Sequence, residues 1–108
     1  MSMVTDVDGP PTPDLLKALG EPLRWRVVEL LAGEELCVCH LVEELGVPQP
    51  LVSHHLRVLR DLGIVSTERF RYWTYYRLEP GALAPLAERL GSIVADVPEP
   101  AGRRRPCC

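Results

Sequence analysis

Residues 40–62 read HLVEELGVPQPLVSHHLRVLRDL. His40–Leu45 places apolar Leu41, Val42 and Leu45 ahead of Gly46, which predicts a short helix stopped by glycine. Gly46-Val47-Pro48 is a tight link. Gln49–Leu62 then predicts a longer helix with Pro50 in its first turn, apolar Val52, Leu56 and Leu59 on one side, and Gln49, Ser53, His54 and Arg57 on the other. Two short helices joined by such a turn, the second with a polar outward face, match a helix-turn-helix whose second helix enters a major groove.

The flanks fit that centre. Upstream, Asp14–Leu19 is a short helix candidate stopped by Gly20, and Pro22 opens a helix in which Leu23, Val27, Leu30 and Leu31 share a face. Downstream, Ile64–Arg69 and Tyr72–Leu78 have the β-branched and aromatic content of strands, with Phe70-Arg71 as their link. Pro80-Gly81 begins a last helix carrying Leu83, Leu86, Ala87, Leu90, Ile93 and Val94 at three- and four-residue steps. The predicted class is mainly α with a β-hairpin (α+β), a winged helix-turn-helix. Residues 1–13 read as a flexible arm, 14–97 as the folded domain, and 98–108 as a flexible tail carrying Cys107 and Cys108.

Charge is distributed in keeping with a nucleic-acid partner. Residues 1–47, 48–78 and 79–108 carry net −6, +3 and 0 within a total of −3, and phosphate contacts need local rather than global charge. Gln49 can bond bidentately to adenine, Ser53 can serve any base edge, Arg57 can reach guanine or phosphate, and His54 can donate to either. Arg69, Arg71 and Arg77 place cations on the wing, where it meets backbone or minor groove. His55, between Val52 and Leu59, reads as a packed histidine. Tyr72, Trp73, Tyr75 and Tyr76, at strand spacing, read as cross-strand packing.

Other classes are poorly served. A chain of 108 residues fits one domain, its apolar runs are too short to span a bilayer, and Met1–Pro13 lacks a secretory pattern, so a cytoplasmic protein without membrane contact is expected. No carboxylate pair, nucleophile–base spacing or phosphate-cradling glycine loop points to an enzyme. Four cysteines in such a setting suggest ligands or redox centres.

The stretches ELCVCHL at 35–41, GVPQPLVSHHLRVLRDLGIV at 46–65 and YWTYYRL at 72–78 resemble the ArsR/SmtB family of metal-responsive repressors, over roughly residues 14–95. The resemblance implies a homodimeric winged helix that leaves its operator, an imperfect palindrome in double-stranded DNA, when a thiophilic ion binds. It identifies ELCVC as a metal box. Two departures stand out: Val42 occupies the position where arsenic-responsive members often carry a third cysteine, and no histidine follows His55 for a zinc-type site on the last helix.

Residues two apart on an α-helix point about 200° away from each other, so two thiolates on one ion are expected to bend or unwind the helix start. Cys39 is expected at the capping position, its thiol acidified by the helix N-terminus. A tail of about ten residues reaches up to ~33 Å, which lets Cys107 or Cys108 complete a three-thiolate site with Cys37 and Cys39. Three thiolates suit As(III) or Sb(III), and four suit Cd(II), Zn(II) or Pb(II). His40 reads as a surface residue rather than a ligand. The last helix and Asp14–Leu19 carry the apolar surface for a twofold dimer. A repressor released by arsenite is the expected function; the same repressor sensing cadmium, lead, zinc or thiol oxidation, and a cytoplasmic thiol metal carrier without DNA binding, are the competing ones.

Overall fold

The computed structural model describes residues 11–100 and 104–106. Its elements run α1 (Thr12–Leu19), α2 (Pro22–Gly33), β1 (Leu36–Cys37), α3 (Val38–Leu45), α4 (Gln49–Asp61), β2 (Val65–Phe70), β3 (Trp73–Leu78) and α5 (Pro80–Asp96). The helix-turn-helix pair, the hairpin and the closing helix all stand where periodicity places them. A strand missing from that reading is β1, which makes the sheet three-stranded with order β1-β3-β2, antiparallel throughout.

The core lies where the apolar faces of the helices meet the base of the sheet. Val27 of α2, Leu41 of α3, Val52, Leu56 and Leu59 of α4, and Ile64 and Val65 leading into β2 are fully buried, each such side chain stabilising the fold by about 1.5–3 kcal/mol. Two glycines set the angle of α4. Gly46 ends α3 with φ 67°, its N–H donating to the Val42 carbonyl, and Gly63 follows α4 with φ 77°. Both values lie in the left-handed region that a side chain disfavours.

Burial falls along the hairpin from Val65, which is buried, to an exposed Phe70, so the wing projects from the body. Phe70 pairs with Trp73, leaving Arg71-Tyr72 as the loop, one residue later than Phe70-Arg71. No Gly or Asn marks this turn in the sequence, and Arg71 itself takes the positive φ of 59°. That conformation costs a non-glycine residue roughly 1–2 kcal/mol.

Candidate thiol site and nucleic-acid interface

Cys37 is the last residue of β1 and the N-cap of α3, with extended backbone (φ −92°, ψ 170°). The cap is therefore Cys37, where Cys39 was the sequence expectation; Cys39 lies inside the first turn. This overturns the expected need for unwinding. The 200° separation applies to two residues within a helix, and Cys37 is outside it. Its Sγ already lies 2.9 Å from Cys39 Sγ.

His40, read from sequence as a surface residue, is exposed but takes part in the cluster. Its Nδ1 lies 3.2 Å from Cys37 Sγ and accepts the Cys37 backbone N–H at 3.2 Å, closing a capping box in which the Cys37 sulfur faces the His40 amide. Donor atoms of Cys37, Cys39 and His40 all lie within 4.8 Å of one another. The clue in the sequence was the N-cap to N3 spacing of Cys37 and His40. Cys107 and Cys108, the expected source of a further thiolate, lie outside the described residues.

The two thiols are inequivalent. Burial pushes Cys37 up, but the Cys39 thiol and the amides of His40 and Cys39 aimed at its sulfur outweigh burial and hold it below the ordinary thiol range. Cys39 is pushed up, first by its hydrogen bond to Cys37, then by desolvation and the Cys37 charge. The pair thus titrates as a unit, with the thiolate favoured on Cys37. For two thiolates on a tetrahedral ion such as Zn²⁺ the sulfurs stand about 3.8 Å apart. The present 2.9 Å lies within about an ångström of that spacing, and the donor types, two thiols and an imidazole, suit such an ion.

On α4, Gln49, His54 and Arg57 are exposed and Ser53 is half-buried, all within about 140° of the helix circumference. His55 is buried on the opposite side, as read from the sequence. Its Nδ1 accepts from Arg24 at 3.1 Å, its Nε2 lies 3.7 Å from Glu21, and Arg24 Nε donates to the Ala18 carbonyl at 2.7 Å. Because arginine only donates, His55 must be neutral with its hydrogen on Nε2. Desolvation lowers its pKa, with Arg24 and His54 adding to the effect and the Glu21 charge opposing it. These bonds fasten α4 to α2 and α1 from behind the polar stripe.

The wing divides into two halves. Arg69 and Arg71 are exposed near its tip. Arg77 is held among Glu68 at 2.8 Å, Glu35 at 3.8 Å and Glu79 at 3.9 Å. Three carboxylates offset its charge, which removes Arg77 from the expected set of wing cations. Of the aromatics read as cross-strand packing, Tyr75 and Tyr76 are half-buried, whereas Tyr72 and Trp73 are exposed.

Comparison with known proteins agrees with this geometry. Residues 21–67 match the model of the bacterial regulatory protein arsR family. A solved structure described as a possible transcriptional regulator for arsenical resistance superposes with a TM-score of 0.67 at 35% identity, over 80% of this chain and 98% of that one. The chain belongs to the ArsR/SmtB family. It is 41% identical over 64 residues, 58% of this chain, to the HTH-type regulator MJ1325 of Methanocaldococcus jannaschii, spanning 72% of that protein. It is 45% identical over 69 residues, 63% of this chain, to the arsenic resistance regulator ArsR1 of Pseudomonas putida, spanning 54% of it, about half its length. As an ArsR-family winged helix, the chain is a DNA-binding transcriptional regulator rather than an enzyme. Among the described residues no helix is long and apolar enough to cross a membrane.

Proposed function

We propose that this ArsR-family chain is a cytoplasmic, homodimeric repressor that releases an imperfectly palindromic operator when Cys37 and Cys39 bind trivalent arsenic or antimony, derepressing a resistance operon. The observation that carries the reading is the 2.9 Å separation of the two sulfurs at the start of the helix-turn-helix. The tail supplies the third thiolate, from Cys107 or Cys108 of the same or the partner subunit. The arsenic resistance named for ArsR1 of Pseudomonas putida supports the choice of ion. Leu16 of α1 and Leu90, Ile93 and Val94 of α5 are exposed apolar side chains that favour a dimer through those two helices.

Gln49, Ser53, His54 and Arg57 read bases or phosphates, and Arg69 and Arg71 hold backbone or minor groove. Cys37 is both thiolate and N-cap residue: drawing its sulfur toward a shared ion takes it from the His40 amide that it faces, which loosens the start of α3. The loosened α3 then changes how α4 meets the groove.

A second reading is favoured by His40. With Nδ1 3.2 Å from Cys37 Sγ and one ring nitrogen within 4.8 Å of both sulfurs, Cys37, Cys39 and His40 form a two-sulfur, one-nitrogen set suited to Zn(II), Cd(II) or Pb(II) without the tail.

The deciding experiment titrates arsenite, antimonite, cadmium, zinc and lead against a fluorescent duplex complex. It compares the full chain, Cys37→Ser, Cys39→Ser and a truncation after Pro106. The arsenite reading expects release that needs both box thiols and is lost on truncation. Undiminished arsenite response after truncation removes the tail from the site, and undiminished release by arsenite from both serine variants overturns the reading.

A further inference from the structure

Phe70, Tyr72 and Trp73 crown the free end of the hairpin at 58%, 90% and 54% exposure, although Tyr75 and Tyr76 nearer the body are half-buried. The segment Arg69-Phe70-Arg71-Tyr72-Trp73-Thr74 holds two cations and no carboxylate. Glu68, the acid next to it, is engaged by Arg77 at 2.8 Å. Arg71 takes a left-handed φ of 59° at a turn position that glycine would fill without strain, and its guanidinium lies 5.5 Å from the Phe70 ring centroid. A strained backbone position filled by a cation points to a use for that side chain.

Cations interleaved with flat apolar rings on a narrow two-stranded ribbon are complementary to a polyanion with a stacked interior. The hairpin follows α4 through Leu62, Gly63 and Ile64 alone, which ties the tip closely to the helix assigned above to duplex DNA. We propose that the wing tip is a minor-groove wedge: Arg71 enters the groove and Tyr72, at the apex, inserts between stacked base pairs and kinks the duplex. Phe70 and Trp73, a cross-strand pair, flank the inserted ring. Wedges of this kind bend DNA by about 20–90°. The wedge favours pyrimidine–purine steps, which unstack most readily, and so adds sequence preference without hydrogen bonds to bases. The inference rests on the repressor reading.

The test uses the full chain and a duplex selected by it from a random pool, labelled at both ends for energy transfer and carrying 2-aminopurine at each candidate step in turn. The wild type is expected to shorten the end-to-end distance and to raise 2-aminopurine emission at one step per half-site. Tyr72→Ala, at a nearly fully exposed position, is expected to keep the circular dichroism spectrum, lose both signals and bind about fivefold to a hundredfold more weakly. Tyr72→Phe is expected to retain both signals. Tight binding with no bend, or equal bending by Tyr72→Ala, overturns the wedge and leaves the repressor reading standing. No duplex retained from the pool overturns both. Binding of the tip to anionic vesicles or single strands in preference to duplex, lost in Tyr72→Ala, also overturns it.

Discussion

Cys37 stands directly opposite Tyr75 in the register of β1 and β3. The first sulfur of the thiol site is thereby on the same sheet as the wing, and Arg77, two residues past Tyr75, reaches back to Glu35, two residues before Cys37. A shift of Cys37 is felt by β3 as well as by α3. Tyr75→Ala is expected to leave ion binding in place while reducing the ion-dependent fall in DNA affinity, measured as the ratio of dissociation constants with and without arsenite. An unchanged ratio would assign the whole response to α3.

The recognition stripe predicts a separation of functions. Gln49→Ala and Arg57→Ala are each expected to weaken duplex binding by about 1–3 kcal/mol, with the thiolate-to-ion absorbance titration unchanged. Arg69→Ala or Arg71→Ala is expected to weaken binding across sequences and to lower the salt slope by about one. Arg77→Ala, whose cation already faces three carboxylates, is expected to leave that slope unaltered.

His40 distinguishes the two donor sets. If three thiolates hold the ion, His40→Ala should preserve arsenite stoichiometry while costing about 1 kcal/mol of stability through the lost cap bond to the Cys37 amide. If the histidine is a ligand, the same substitution should reduce zinc and cadmium affinity far more than that cost. Isothermal titration beside thermal melting reads both.

Acidification should act through His55. The folded protein keeps this ring neutral because burial and Arg24 lower its pKa from the ordinary 6.5, whereas the unfolded chain protonates at its usual value. Below that value the unfolded state binds more protons, so stability falls as pH drops from about 7 toward the lowered pKa and levels off beneath it. Glu21, held low chiefly by its bond from the Arg24 amide, contributes its own loss at more acidic pH, as the carboxylate titrates. Denaturant midpoints measured from pH 8 to pH 5 should show the first decline in the wild type and a flatter profile in His55→Gln.

Core packing supplies a check independent of ligands. Leu59→Ala removes a fully buried side chain of α4 and is expected to cost about 2–5 kcal/mol. Equilibrium unfolding in urea measures it.

Much of this architecture is written locally. Val52, Leu56 and Leu59 announce α4 by their spacing, and Gly46 and Gly63 mark its approach and exit because the backbone there needs positive φ. His55 is recognisable as a core residue from its place between Val52 and Leu59. What escapes local reading depends on distant partners. Leu36-Cys37 is too short to show alternation and becomes a strand only because Tyr76 and Tyr75 lie alongside. With that strand absent, Cys37 and Cys39 look like two helical residues facing apart. Arg77 looks like a free wing cation until Glu35 folds back against it.

The pairing of β1 with β3 joins segments about forty residues apart in the chain. During synthesis, the cysteine box is therefore made long before the strand that backs it. A nascent polypeptide displays Cys37 without its sheet neighbour until β3, which ends at Leu78, has cleared the ribosome, so the proposed coupling of ion capture to DNA release would be acquired only late in the molecule's own production.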